Sequence, residues 1–162
     1  MTRDRLYLLA GLGSAALLAG AFGFQIFGGL PPCELCMTQR YAHGGAILIA
    51  LAGLILPYRG IGWLGALAML ASAATGIYQW GTQMKWWTGF TECTATQSFG
   101  GLSSQDALAK LMSAPIERCN EINFQFLGLT MPAWNAVLSI LLIAIWVAAA
   151  LKKPRPALEF RG

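Results

Sequence analysis

The segment Gly28-Gly29-Leu30-Pro31-Pro32-Cys33-Glu34-Leu35-Cys36 divides two long apolar runs. Its glycines and prolines end one helix and make a tight turn. Proline favours the first turn of a helix, so Pro32 also suits the start of the next one. Cys33 then stands near a helix start, with Cys36 one turn further in. Upstream, Leu6 to Leu30 carries no charge; downstream, Tyr41 to Tyr58 has only His43 as an ionisable group apart from its tyrosines. A helix crosses a bilayer with about 20 apolar residues. The segment therefore reads as the outer turn of a membrane-helix hairpin.

Two more runs, Gly60 to Met84 and Ile122 to Leu151, are uncharged. The chain of 162 residues is 56% hydrophobic and 11% charged, against about 25% charged in soluble domains. The expected fold is an all-α membrane protein, a bundle of four transmembrane helices. Spans are expected at about 6–28, 37–56, 61–80 and 132–151, in a single integral-membrane domain covering 1–162. Outer loops are expected at about 29–36 and 81–131. Ala19-Gly20-Ala21 has the small-x-small look of a signal-peptide cleavage site. The apolar run continues to Leu30, however, which favours an uncleaved anchor.

Charge sets the orientation. Arg3, Arg5, Arg59, Lys152, Lys153, Arg155 and Arg161 fall on one side of the spans, and Arg40, Lys85, Lys110 and Arg118 on the other. By the positive-inside rule both termini are cytoplasmic and both outer loops face outward, which in a bacterium means the periplasm. The net charge of +4 does not indicate nucleic acid, because the basic residues are dispersed over helix ends. Trp80, Trp86 and Trp87 read as an aromatic belt at the outer interface. In the long loop, Ser103 and Asp106 frame a helix start, Leu108, Leu111 and Met112 follow at helical spacing, and Pro115 ends the run. This is a short amphipathic helix on the outer membrane face. The tail after Pro154 is expected to be disordered.

All four cysteines, Cys33, Cys36, Cys93 and Cys119, lie in the outer loops. A Cys-x-x-Cys ring is short, so its disulfide opens and reforms readily. Cys36 lies near a helix N-terminus with Arg40 one turn on, and both favour a thiolate. His43 shares that face, either as a proton carrier or as a buried histidine bonded to a neighbouring helix. Arg40 taken alone also fits an arginine snorkelling to lipid phosphates. Cys93 with Cys119 closes a ring of about 27 residues, worth roughly 3–4 kcal/mol as a structural disulfide. With both pairs on one side, thiol–disulfide exchange between them is the better reading. Four cysteines also allow zinc, but periplasmic thiols are usually oxidised, so no metal is expected.

These residues resemble the disulfide bond formation protein B (DsbB) family of bacterial inner-membrane proteins. The resemblance rests on Pro32-Cys33-Glu34-Leu35-Cys36, on Gln39-Arg40, on Cys93 and Cys119, and on Leu127-Gly128-Leu129 leading into Pro132-Ala133-Trp134. It implies a quinone-linked thiol oxidase that re-oxidises a periplasmic thioredoxin-fold dithiol protein of the DsbA type. It also implies the roles. Cys93 receives the partner's thiolate, Cys119 attacks Cys33, and Cys36 passes electrons to ubiquinone or menaquinone near Arg40. The region Tyr78-Gln79-Trp80 does not match residue by residue. Two alternatives are a structural membrane protein with two inert disulfides and an enzyme of the vitamin K epoxide reductase type. In the latter the Cys-x-x-Cys lies late in the chain, whereas here it comes first.

Overall fold

The computed structural model describes residues 1–30, 32–56, 58, 60–87, 105, 119, 122 and 124–153. Four helices account for most of these: α1 (Arg3–Phe27), α2 (Glu34–Ile55), α3 (Gly60–Gln83) and α4 (Met131–Leu151). They pack as a ring, α1 on α2, α2 on α3, α3 on α4, and α4 back on α1. Cys93, the tail after 153 and all of the expected amphipathic helix but Gln105 lie outside the described residues.

Three helices, α1, α3 and α4, are long and apolar enough to cross a membrane. The fourth, α2, is not among them, although a span was expected at 37–56. It has 22 residues, but Gln39, Arg40 and His43 in its outer half dilute its apolar character. The outward faces carry exposed Leu8, Leu12, Leu48, Leu51, Trp63, Leu67, Ile140 and Leu141. So much apolar surface is untenable in water and ordinary in lipid.

Inside the ring the residues are mostly small. Ala10, Ala46, Ala50, Ala149 and the three serines Ser14, Ser72 and Ser139 are buried around the larger Tyr7, Met69 and Trp146. Small side chains let membrane helices approach closely. Gly65 shows the closeness: a Cβ there would fall within the Trp146 ring. At Gly53 it would lie 2.7 Å from Tyr7 Cε2.

One end of the bundle is closed by Arg3. It is buried, donates to the Tyr7 hydroxyl at 2.8 and 3.0 Å, and also donates to the backbone carbonyl of Tyr58. The start of α1 therefore meets the turn between α2 and α3. Gly62 at the start of α3 packs on Ala150 at the end of α4, which brings that end of the chain to the same side. Both cysteines of the Cys-x-x-Cys are at the opposite end.

Two features there sharpen the expected turns. Gly29 takes φ +63°, a conformation that costs glycine little, as the chain leaves α1. Before α4, the strands β1 (Gln125–Phe126) and β2 (Leu129–Thr130) form a small antiparallel hairpin. Its turn residues Leu127 and Gly128 both have positive φ, which suits a two-residue turn. Trp134 Nε1 donates to the Phe126 carbonyl at 2.9 Å and ties the hairpin to α4. No strand was expected here, because two-residue strands leave no periodic signal.

Candidate active site

Cys33 is the N-cap of α2. Its sulfur accepts from the Cys36 backbone N–H at 3.3 Å, the role a serine or aspartate side chain usually fills. That cap holds the Cys33 side chain over the first helical turn, where Cys36 sits. The two sulfurs are 2.6 Å apart and both cysteines are free thiols. Their environments differ. Hydrogen bonding to Cys36, together with burial, raises the pKa of Cys33. The hydrogen bond from Cys33 lowers Cys36 to about 6, against the opposing effect of burial. Gln79, the backbone at Cys33 and the charge of Arg40 act in the same downward direction. In the reduced pair the negative charge therefore settles on Cys36.

Gln79, to which no sequence pattern gives a role, is central to this geometry. It is 3% exposed, on α3, with its amide nitrogen 3.2 Å from Cys33 Sγ and 3.5 Å from Cys36 Sγ. Its amide oxygen accepts from Gln39 Nε2 at 2.9 Å. A lone glutamine in an apolar run marks a buried polar contact, but nothing in the sequence says which helix it faces.

Cys119 is disulfide-bonded and 1% exposed. It shares one buried cluster with Cys33 and Leu35, against which Cys36 and Tyr78 pack. The structure thus brings three of the four expected cysteines together; Cys93 is outside the described residues.

Arg40 reaches toward α1. It donates to Gln25 Oε1 and, at 3.1 Å, to the Ala21 carbonyl, and it lies over the Phe22 ring at 4.8 Å. His43 is 2% exposed and turns the other way, with Nε2 3.0 Å from Asn135 Oδ1 and 3.2 Å from Ser72 Oγ. Asn135 Nδ2 donates to Ser72 at 3.0 Å, and Ser139 to Ser72 at 3.1 Å. Of the two readings of His43, bonding to neighbouring helices is what the structure displays. Gln25, Ser72, Asn135 and Ser139 had no sequence signal, because single polar residues in apolar helices are common and their partners are remote in the chain. The expected aromatic belt appears as a cluster at the same end, where Trp86 packs on Trp80 at 5.1 Å and on Trp87 at 6.0 Å.

Cys36, Arg40, Gln39 and His43 line one side of a cavity of about 600 Å³. Its α1 wall is apolar, from Leu17, Ala21 and Phe24; α4 adds Trp134 and Leu138 with the polar Asn135, and α3 adds Gln79 and Gln83. A buried thiolate, a guanidinium and apolar walls suit a flat, lipid-soluble ring with polar edges.

The family model for "Disulfide bond formation protein DsbB" matches residues 3–149. The chain belongs to the disulfide bond formation protein B family. Among curated relatives of that name, the protein of Hahella chejuensis is 30% identical over 96% of this chain and 98% of its own length. That of Methylococcus capsulatus is 35% identical over 79% of this chain and 82% of its own. That of Xanthomonas campestris pv. campestris is 33% identical over 89% and 87%. No solved structure matches the chain. Membership in the DsbB family and three membrane-capable helices make this a membrane disulfide bond formation protein. The DsbB match includes every residue around the cavity.

Proposed function

We propose that the chain is a quinone-linked thiol oxidase that re-oxidises a periplasmic dithiol protein of the DsbA type. The observation that carries this reading is one cluster: Cys119 is buried beside Cys33, and Cys36 lines a lipid-sized apolar cavity. One sulfur pair thus has a neighbour to exchange with on one side and a ligand space on the other.

The cysteine steps follow the order of the resemblance. A thiolate of the soluble dithiol attacks Cys93 of a Cys93–Cys119 disulfide, forming a mixed disulfide and releasing the Cys119 thiolate. The partner's second thiolate then displaces Cys93 and leaves with its own disulfide. Cys119 attacks Cys33 of the Cys33–Cys36 disulfide, and Cys36 departs as a thiolate. Closing Cys93 on Cys119 frees Cys33 as a thiol, so one dithiol is oxidised and the Cys33–Cys36 pair is reduced. The leaving thiolate falls where the site holds negative charge best, at the first turn of α2 beside Gln79 and within the field of Arg40.

Ubiquinone or menaquinone fits the cavity, and when bound it supplies a two-electron, two-proton acceptor. Arg40 and Cys36 would hold its polar edge, with His43 deeper in the same wall, and the residues of α1 and α4 would enclose its ring and exclude water. No metal is needed. The reading also includes a membrane crossing by α2. Its 22 residues would reach about 33 Å, enough for the hydrocarbon core, and its polar residues face the other helices and the cavity. The chain is then one integral domain of the bacterial inner membrane with four spans, both termini cytoplasmic and the cysteine loops periplasmic.

The test is trapping. When the wild-type chain meets a reduced thioredoxin-fold protein whose second cysteine is replaced by serine, its one thiolate can open the Cys93–Cys119 disulfide but no second thiolate remains to displace Cys93, so a Cys93-linked mixed disulfide should accumulate on non-reducing gels. No such adduct, under conditions where the chain oxidises the partner with both cysteines, would count against this reading.

A further inference from the structure

Gln79 and Gln39 are two buried primary amides on different helices, at 3% and 7% exposure. A buried amide needs partners for both its oxygen and its nitrogen. Gln39 Nε2 occupies the Gln79 oxygen at 2.9 Å. The Gln79 nitrogen faces both sulfurs, at 3.2 and 3.5 Å, and lies nearer to Cys36 Sγ than the Gln79 oxygen does, at 3.8 Å. Rotating the Gln79 amide by half a turn would set its oxygen against a thiolate and its NH₂ against the NH₂ of Gln39. Both contacts are repulsive, so Gln39 fixes the Gln79 amide with its donors on sulfur.

We propose that Gln79, oriented by Gln39, is a positioning residue of the Cys33–Cys36 pair: its N–H groups stabilise the reduced pair with the charge on Cys36 and so make the disulfide a stronger electron acceptor. The reduction in question is balanced as disulfide plus two electrons and one proton giving the Cys33 thiol and the Cys36 thiolate. In the working protein those electrons come from the incoming dithiol. N–H donors bind a thiolate more strongly than a disulfide sulfur, so they favour the right-hand side. A more stable reduced form means a higher potential.

Among the described residues, few other charged or titratable groups lie around Cys36, and His43 lines the same cavity two turns further along α2. Cys33, Arg40 and the exposed Glu34 are on or next to its own helix, and Tyr78 packs from α3. Cys119 is disulfide-bonded and does not titrate. The cavity-lining residues of α1 and α4 carry no charge. Among the described residues, Gln79 is the side-chain donor to this pair from outside α2 and its cap.

The inference rests on reading Cys33–Cys36 as a redox pair, and its test needs neither quinone nor partner. Full-length protein in detergent is equilibrated with glutathione buffers, and Cys36 alkylation by iodoacetamide is followed against pH by peptide mass spectrometry. Gln79→Leu should move the alkylation midpoint up by about one pH unit. It should also shift the glutathione equilibrium about tenfold toward the disulfide, which is ~30 mV for a two-electron couple. Gln39→Leu should move both the same way by less. Gln79→Glu keeps the volume and the bond from Gln39 but replaces the donors with a carboxylate oxygen, and should move the midpoint further than leucine. It also serves as the near-isosteric variant should leucine disturb packing. Wild-type midpoint and equilibrium in both Gln79 variants would overturn the inference and leave the redox reading intact. A wild-type pair that glutathione buffers fail to cycle would overturn both.

Discussion

Two neighbouring sulfurs in this site are chemically unequal, and that inequality is the most testable property of single residues here. The lowered pKa of Cys36, about 6, means that its thiolate persists at neutral pH and is lost as pH falls through that value. An ordinary thiol, near 8.5, would do the opposite and react only at alkaline pH. The alkylation rate of Cys36 in the reduced wild-type protein should therefore be flat above about pH 7 and fall below it, while Cys33 stays slow throughout. A midpoint near 8.5 would remove the electrostatic basis of the leaving-thiolate step. Arg40 makes a separate prediction. Its hydrogen bonds go to α1, and it lines the cavity. Arg40→Ala should weaken apparent quinone affinity or turnover about tenfold, the size of one lost charge-assisted hydrogen bond. Circular dichroism should show the helices retained. Unchanged quinone kinetics in a folded Arg40→Ala protein would leave Arg40 only a role in joining α1 to α2.

Among the elements, α3 packs on both α2 and α4, and small residues are what let it do so. Gly65 faces Trp146 of α4 with no room for a side chain, whereas nothing lies within 4 Å of a Cβ placed on Gly44 of α2. Gly65→Leu should lower unfolding stability in detergent by about 1–3 kcal/mol through overpacking, measured as a fall in thermal midpoint. Gly44→Ala should leave it nearly unchanged. Equal effects at the two sites would contradict the packing described for α3 and α4. The helices themselves were legible in the sequence, since uncharged runs of this length have few other uses, and the ends shift by only a few residues. Cys33 and Cys36 were legible at the start of α2 because Pro32 announces it. Gln79 and Asn135 were visible as residues but not as partners, because periodicity does not give the rotation of one helix against another. The hairpin at 125–130 was missed, since its strands are shorter than any alternating pattern.

At the scale of the whole molecule, the bundle has two chemically distinct ends. Arg3, Tyr7 and Tyr58 lock one, and the cysteines, Gln79 and the tryptophan cluster occupy the other. The excess of Lys and Arg lies at the Arg3 end, so the cysteine end should face the periplasm. A membrane-impermeant maleimide added to intact spheroplasts after mild reduction should label Cys93. Labelling that appears only after the inner membrane is permeabilised would invert the orientation. The central claim is that electrons cross from the loop cysteines to the Cys33–Cys36 pair and on to quinone. It is tested most directly by the rate of quinone reduction, followed by absorbance, with purified protein and a reduced thioredoxin-fold dithiol protein as donor. The wild-type chain should turn over continuously, and both Cys33→Ser and the Cys93→Ser, Cys119→Ser double variant should reduce quinone at no more than background. A double variant that turns over at the wild-type rate would contradict the relay and return the Cys119 disulfide to a structural role.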